Sequence, residues 1–205
     1  MAPKLKEESA RQRREQILEA AYELFATRGY QRTTMRRLAS KMGMTTGVLY
    51  TYFASKDEII QALAERSRKS SSQLLEVLSK EETSREALRS LLSMFADHWD
   101  REPAQRGARA NINLLSEATR RESIQREAAQ LYSNTGRIFK RLAKDASERG
   151  ELEADVDPDA VGDFLNALFL GMQVEQILVG EKSPGDHIAA ISKVLLGHIW
   201  RTGKG

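Results

Sequence analysis

Between residues 34 and 56 the sequence concentrates side chains suited to phosphate oxygens and base edges: Thr34, Arg36, Thr45, Thr46, Gly47, Tyr50, Thr51, Tyr52 and Lys56. Thr46 and Thr51 carry short hydroxyls that can reach base edges or phosphates, and Gly47, with no side chain, lets backbone come close to a duplex. Tyr50 and Tyr52 each join an aromatic body to a polar tip, which suits the boundary between a core and a nucleic acid. Tyr52 reads as contacting and Tyr50 as mixed. Lys56 stands in the first turn of a helix, where a cation opposes the helix dipole, so a phosphate contact accounts for it better.

Catalytic chemistry finds less to work with. The chain has no cysteine, which excludes disulfides, zinc-thiolate sites and cysteine nucleophiles and permits a reducing compartment, so a cytoplasmic location is expected. Its histidines are His98, His187 and His198. The last two share a helical face but stand about 16 Å apart at about 1.5 Å per residue, too far to ligate one metal. No Glu-x-x-His pair, nucleophile elbow or phosphate-binding glycine loop occurs. No metal, cofactor or enzymatic activity is expected.

The elements that must position the first set are helices, because proline is scarce and apolar residues recur at helical spacing. Ile17, Ala21, Leu24 and Phe25 line a first helix stopped at Gly29. Thr33 and Thr34 precede a short second helix with Leu38, Ala39 and Met42 inward, ended by Gly43. Met44 and Thr45 turn into a third, from Thr46 to about Phe53, with Val48 and Leu49 inward. Two short helices joined by a tight glycine turn make a helix-turn-helix, whose second helix enters the major groove. Spacing alone fits a plain three-helix cluster equally well.

Ser55-Lys56-Asp57-Glu58 is a capping box that opens a long fourth helix carrying Ile59, Ile60, Leu63, Leu74, Leu75 and Leu78. Five more are expected at about 84–101, 104–119, 122–149, 158–179 and 184–201. Their starts are marked by Thr83 with Glu86, Pro103, Asp157-Pro158 and Ser183-Pro184, and two stops by Gly150 and Gly180. The expected fold is all-α: a three-helix helix-turn-helix domain at 1–54, whose residues 1–12 form a flexible basic arm, then a helical bundle at 55–205.

Composition agrees with a globular chain: of 205 residues 40% are hydrophobic and 30% charged. The start lacks the apolar stretch of a signal peptide. The longest apolar run, Phe164 to Met172, is broken by Asn166 and far short of the ~20 residues a membrane span needs. Net charge is +3, unevenly placed: through Lys56 there are eleven Lys and Arg against five Glu, an excess of six, and the remainder is net negative. Phosphate binding by one small domain requires that asymmetry.

The run from Thr34 through Arg36, Gly43, Thr45, Thr46 and Gly47 to Glu58 closely resembles the DNA-binding signature of the TetR family of transcriptional regulators. Leu49-Tyr50-x-Tyr52-Phe53-x-x-Lys56 is its most specific part. The similarity reaches back from there to Ile17 and covers about the first 60 residues; the remainder resembles the family in size, helicity and final helix pair. Met35, Leu38 and Met44 stand where the family often has valine or isoleucine, apolar exchanges that packing tolerates. The resemblance implies a homodimeric repressor of a palindromic double-stranded DNA operator, released by a small-molecule ligand. It implies that Arg36 reaches a base, for which a guanine contact would give about 1–3 kcal/mol of discrimination; a solvated surface arginine is the alternative. It implies a phosphate contact for Lys56 as well.

In the bundle, segment 158–179 is apolar nearly all round and must be covered on every side. Paired with the last helix across a two-fold axis it would form a four-helix dimer interface through Phe164, Leu168, Met172, Ile191, Leu195 and Ile199. The alternative is a monomer with both helices as core. For an unidentified apolar or amphipathic ligand the candidates are Arg109, Asn113 and Glu117, spaced every four residues, with Asn166 and Gln173, and a wall of Phe95 and Trp99. Each has a packing or surface role as its alternative. Two other readings of the whole are a helical interaction scaffold that never binds DNA and a small helical enzyme.

Overall fold

A computed structural model describes residues 2–99, 102–178 and 184–196. Among these residues every regular element is a helix: α1 (Ala2–Arg32), α2 (Met35–Lys41), α3 (Thr46–Tyr50), α4 (Lys56–Leu78), α5 (Ser84–Trp99), α6 (Glu102–Ala118), α7 (Glu122–Glu148), α8 (Pro158–Leu178) and α9 (Pro184–Val194). No described helix is long and apolar enough to cross a membrane.

The chain packs as two compact units, one of residues up to 66 with 106–130, the other of 67–105 with residues from 131 on. The unit holding the helix-turn-helix therefore runs past the expected boundary at 54, taking in the start of α4 and most of α6. Its core is Ile17, Leu38, Leu49, Phe53, Ile59 and Ile60, each at most 1% exposed, and burying such side chains contributes about 1.5–3 kcal/mol apiece. α6 joins it because Gly107 leaves room for Tyr22 on α1: a Cβ there would lie 2.9 Å from the tyrosine oxygen. Nothing local in the sequence announces a contact between residues so far apart.

Residues 2–12, expected as a flexible arm, continue α1. The reason is local: Glu7 and Arg11 stand at i and i+4 in the favourable order, among residues of good helix propensity. Gly29 interrupts the helix at φ 75°, ψ 163°, and the chain resumes a turn through Arg32. The end of α2 is closed by a Schellman pattern. Gly43, at φ 62°, donates to the Ser40 carbonyl and Met44 to that of Ala39, satisfying carbonyls that have no partner within the helix.

The second unit is built on Leu88, Leu91, Phe139, Leu142, Leu165, Ile188 and Leu195, with α5 packed along α9. α7 and α8 come together at Gly162, where a Cβ would fall 2.6 Å from the Lys140 Cα. Thr83 and Glu86 form the expected capping box, the Thr83 backbone donating to the carboxylate and Glu86 to the hydroxyl. The buried Glu151 adds a second cap on α5, accepting from the Ser84 and Arg85 amides at 3.2 and 3.0 Å.

Candidate nucleic-acid interface

Two threonines set the ends of the motif. Thr34 accepts from the Arg37 amide at 3.1 Å and Thr45 from the Val48 amide at 3.3 Å, so each starts its helix with a side-chain cap. α3 is shorter than expected, ending at Tyr50. The next amides bond three residues back, Thr51 to Val48 and Tyr52 to Leu49, which tightens the last turn. Leu49 is fully buried, but Val48, expected inward, is 47% exposed. One residue turns a helix by about 100°, so a helix of a single turn anchored by Leu49 cannot also bury Val48.

Thr34, Arg36, Thr45, Gly47, Tyr50 and Thr51 are exposed; Thr46, Tyr52 and Lys56 are half-buried. All nine sit within the first unit, from the cap of α2 through the turn, α3 and the residues after it to the start of α4. Arg36 has no ion-pair or hydrogen-bond partner among the described residues, whereas its neighbour Arg37 is spent on the Arg32 carbonyl at 2.6 Å. The Thr51 hydroxyl donates to the Val48 carbonyl at 2.7 Å, leaving its oxygen as an acceptor. Tyr52 packs against the core, and Tyr50 points outward, so Tyr50 is the better placed to contact. Val48 is the residue that sequence reasoning missed: exposed beside Gly47, it offers an apolar surface of the kind that meets a thymine methyl. The hundred-degree step from Leu49 was the available signal.

Electrostatics favours a polyanion. From residue 28 to residue 56 the chain has Arg28, Arg32, Arg36, Arg37, Lys41 and Lys56 and no acidic residue. Arg14, from the basic start, is occupied internally. It donates to the Tyr52 carbonyl, pairs with Glu58 at 3.3 Å and lies 3.9 Å over the Phe53 ring. The capping box at Ser55 is offset by one residue, since Glu58 donates to the Ser55 hydroxyl while its carboxylate accepts from the Ala54 amide.

The ligand candidates are divided between the two units. Asn113 and Glu117 lie in the first unit, against α1: the Asn113 amide donates to the Phe25 and Ala26 carbonyls, each at 3.1 Å, and Glu117 accepts from Gln31 and Arg121. Arg109 is exposed on the same helix. Asn166 and Gln173 are buried in α8, Asn166 reaching the Tyr132 carbonyl at 3.5 Å. Neither lines the apolar crevice of the second unit, which is formed by Phe95, Phe139 and Phe169 with Leu168, Met172, Ile188, Ile191 and Leu195. Of the candidates whose side chains are described, only Phe95 lines it. The side chain of Trp99 lies outside the described residues.

The crevice also claims Leu168, Met172, Ile191 and Leu195, expected at a dimer interface; Leu195 is 2% exposed. Phe164 is different, half exposed, and heads a stripe of Ala167, Gly171, Val174 and Leu178 that is exposed along α8 at alternating three- and four-residue steps. Ile199 lies outside the described residues. Helix α8, apolar all round in sequence, thus divides into a covered side and an uncovered one.

Comparison with known proteins agrees with this architecture. The family described as bacterial regulatory proteins, tetR family, matches residues 17–63, and the BetI-type transcriptional repressor, C-terminal, matches residues 84–201. The HTH-type transcriptional repressor Rv1474c of Mycobacterium tuberculosis is 38% identical over 79 residues, 38% of this chain and 41% of that protein, so the similarity spans about two fifths of the relative. A solved structure described as the molecular basis for control of antibiotic production by bacterial hormones is 30% identical, with a TM-score of 0.74 over 93% of this chain and 98% of that one. A transcriptional regulator from Saccharomonospora viridis in complex with choline shares the fold at 21% identity, with a TM-score of 0.76 over 93% of this chain and 98% of that one. Signature, all-helical architecture and both family matches lead to one assignment: the chain belongs to the TetR family of transcriptional regulators.

Proposed function

We propose that this regulator is a repressor that binds a palindromic DNA operator as a homodimer and is released by a small apolar or amphipathic molecule. The observation that carries the reading is the exposed set Arg36, Thr45, Gly47, Val48 and Thr51 on a stretch of chain with six cations and no acid. α3 is the reader, Arg36 and Thr46 supply sequence preference, and Thr34, Tyr50, Tyr52 and Lys56 contribute affinity through phosphate. Dimerisation uses the uncovered stripe of α8, with Phe164, Val174 and Leu178, and the exposed Val194 of α9, rather than the inward Leu168, Met172, Ile191 and Leu195. The ligand enters the crevice around Phe95, Phe139 and Phe169. Its walls offer almost no polar atoms, so a ligand with buried donors or acceptors would forfeit their hydration. The three rings pack on one another at 4.5 to 6.4 Å between centroids, and choline, seen with the Saccharomonospora regulator, belongs in the first screen.

The test is selection of duplexes from a random library with the purified chain at fixed moderate salt. Enrichment of an inverted repeat with half-sites one helical turn or a multiple apart supports the reading, and no enrichment overturns it. A compound that binds the protein and acts as inducer must bind more weakly when the selected duplex is present, by the factor with which it weakens DNA binding.

A further inference from the structure

We infer that the turn between α6 and α7 carries a second phosphate-binding point, Arg120 with Arg121, that extends the duplex contact of the helix-turn-helix. The inference rests on the DNA-binding reading above and adds residues far along the chain from the signature.

The guanidinium of Arg121 is held in place. Its Nε donates to the Glu117 carboxylate at 2.9 Å and an Nη2 hydrogen to the Gln31 side chain at 3.2 Å, while Gln31 itself donates to Glu117. Glu117 is buried and Arg121 half exposed. A guanidinium has five N–H groups in a rigid fork, so three remain to face solvent from a fixed position. Gln31 stands three residues before Thr34, the cap of α2, which places Arg121 at the α1–α2 junction. Arg120 beside it is exposed and forms no ion pair with a described residue. Glu122 follows in the first turn of α7 and pairs with neither.

The Glu117 carboxylate balances Arg121, while the exposed Arg120 and the neighbouring Lys56 add positive charge beside that pair. The Lys56 ammonium is on the Tyr30 carbonyl and Arg37 on that of Arg32, Asp57 accepts from the Tyr30 hydroxyl, and Glu117 is shared between two partners. Burial first, and then the positive charge of Arg121, lower the Lys56 ammonium below the ordinary lysine value. Asp57 and Glu117 oppose that shift, and a phosphate oxygen at this turn would add to them.

The experiment measures binding of the full chain to a 30-base-pair mixed-sequence duplex by fluorescence anisotropy across a salt series, for wild type, Arg120→Gln, Arg120→Gln with Arg121→Gln, and Arg89→Gln. Arg89, exposed on α5 in the second unit, controls for net charge. The slope of log affinity against log salt should fall by about 0.9 for each phosphate no longer neutralised, in the single variant and further in the double, with Arg89→Gln close to wild type. A folded double variant with the wild-type slope, or an equal fall in Arg89→Gln, overturns the inference. Should the double variant fail to fold, Arg120→Gln decides alone, since its side chain holds nothing together. Absence of salt-dependent binding in wild type would instead sink the DNA-binding reading itself.

Discussion

The ammonium of Lys56 donates to the backbone carbonyl of Tyr30 at 2.8 Å and sits 4.0 Å over that residue's ring. At the first turn of α4 a cation opposes the dipole of its own helix, yet here it joins the Thr33 amide on the Tyr30 carbonyl at the end of α1, where a positive charge is favourable. The Tyr30 hydroxyl donates to Asp57, so the first two residues of α4 grip one tyrosine at both ends. Lys56→Met should therefore cost about 1.5–3 kcal/mol in urea denaturation, the range for a hydrogen bond from a charged group, and weaken binding to all duplexes alike. Unchanged stability would show that the contact with Tyr30 carries no weight.

Glu23 should make the first unit sensitive to acid. Its carboxylate accepts from Lys41 on α2 and Arg106 on α6, and the Lys41 hydrogen bond first, then the two charges, hold it below its ordinary value of 4.5 against the effect of burial. A carboxyl lowered in the folded state stabilises above its unfolded value, and the contribution is lost as pH falls through the folded one. Stability of wild type should decline below about pH 4.5 more steeply than that of Glu23→Gln, in melts taken from pH 6 to pH 3. Parallel curves would remove Glu23 from the acid response.

Asn113 donates to the Phe25 and Ala26 carbonyls, in the turn of α1 that leads into the break at Gly29, where carbonyls run short of helical partners. Asn113→Ala should cost about 1–3 kcal/mol through the orphaned acceptors. Asn113→Asp should cost more, because it sets a negative acceptor against the negative end of a helix. The order of the two midpoints in denaturant is the check; an aspartate as stable as the wild type would rule out the capping role.

Much of this organisation was legible in the sequence, and the rest failed for identifiable reasons. Thr34, Thr45, Gly43 and Gly150 announced their caps and stops because capping is decided within four residues. Arg109, Asn113 and Glu117, spaced every four residues, are expected to line a ligand pocket, but Arg109 is exposed and the other two turn toward α1. What they face is Phe25, Ala26 and Gln31, and no local pattern encodes a partner almost ninety positions away. α8 shows the same limit: with apolar residues on all sides, periodicity could not say that Leu165 and Leu168 turn inward while Phe164 and Leu178 do not.

That division of α8 separates two classes of variant. Glu at Phe164 or at Leu178, which is 77% exposed, should leave the fold intact and convert dimer to monomer in sedimentation at low micromolar concentration. Glu at Leu195 should unfold the second unit, since it buries a charge without a partner. Persistent dimers in both folded variants would move the interface off α8.

Gly47 gives the most direct test. Its neighbours leave space for a methyl group, the nearest atom to an added Cβ being the Thr45 hydroxyl at 4.0 Å, and its φ is not in the left-handed region. Gly47→Ala should therefore fold as well as wild type or better by about 0.5–1 kcal/mol, from helix propensity. Gly43→Ala, with φ 62°, should lose stability. If α3 is pressed against a duplex, the same methyl group must collide with it. The measurement is the affinity of Gly47→Ala for the selected duplex beside its melting temperature: wild-type or higher stability with affinity reduced at least tenfold is the expected result. Undiminished affinity in a folded Gly47→Ala protein would contradict close approach of α3 to DNA.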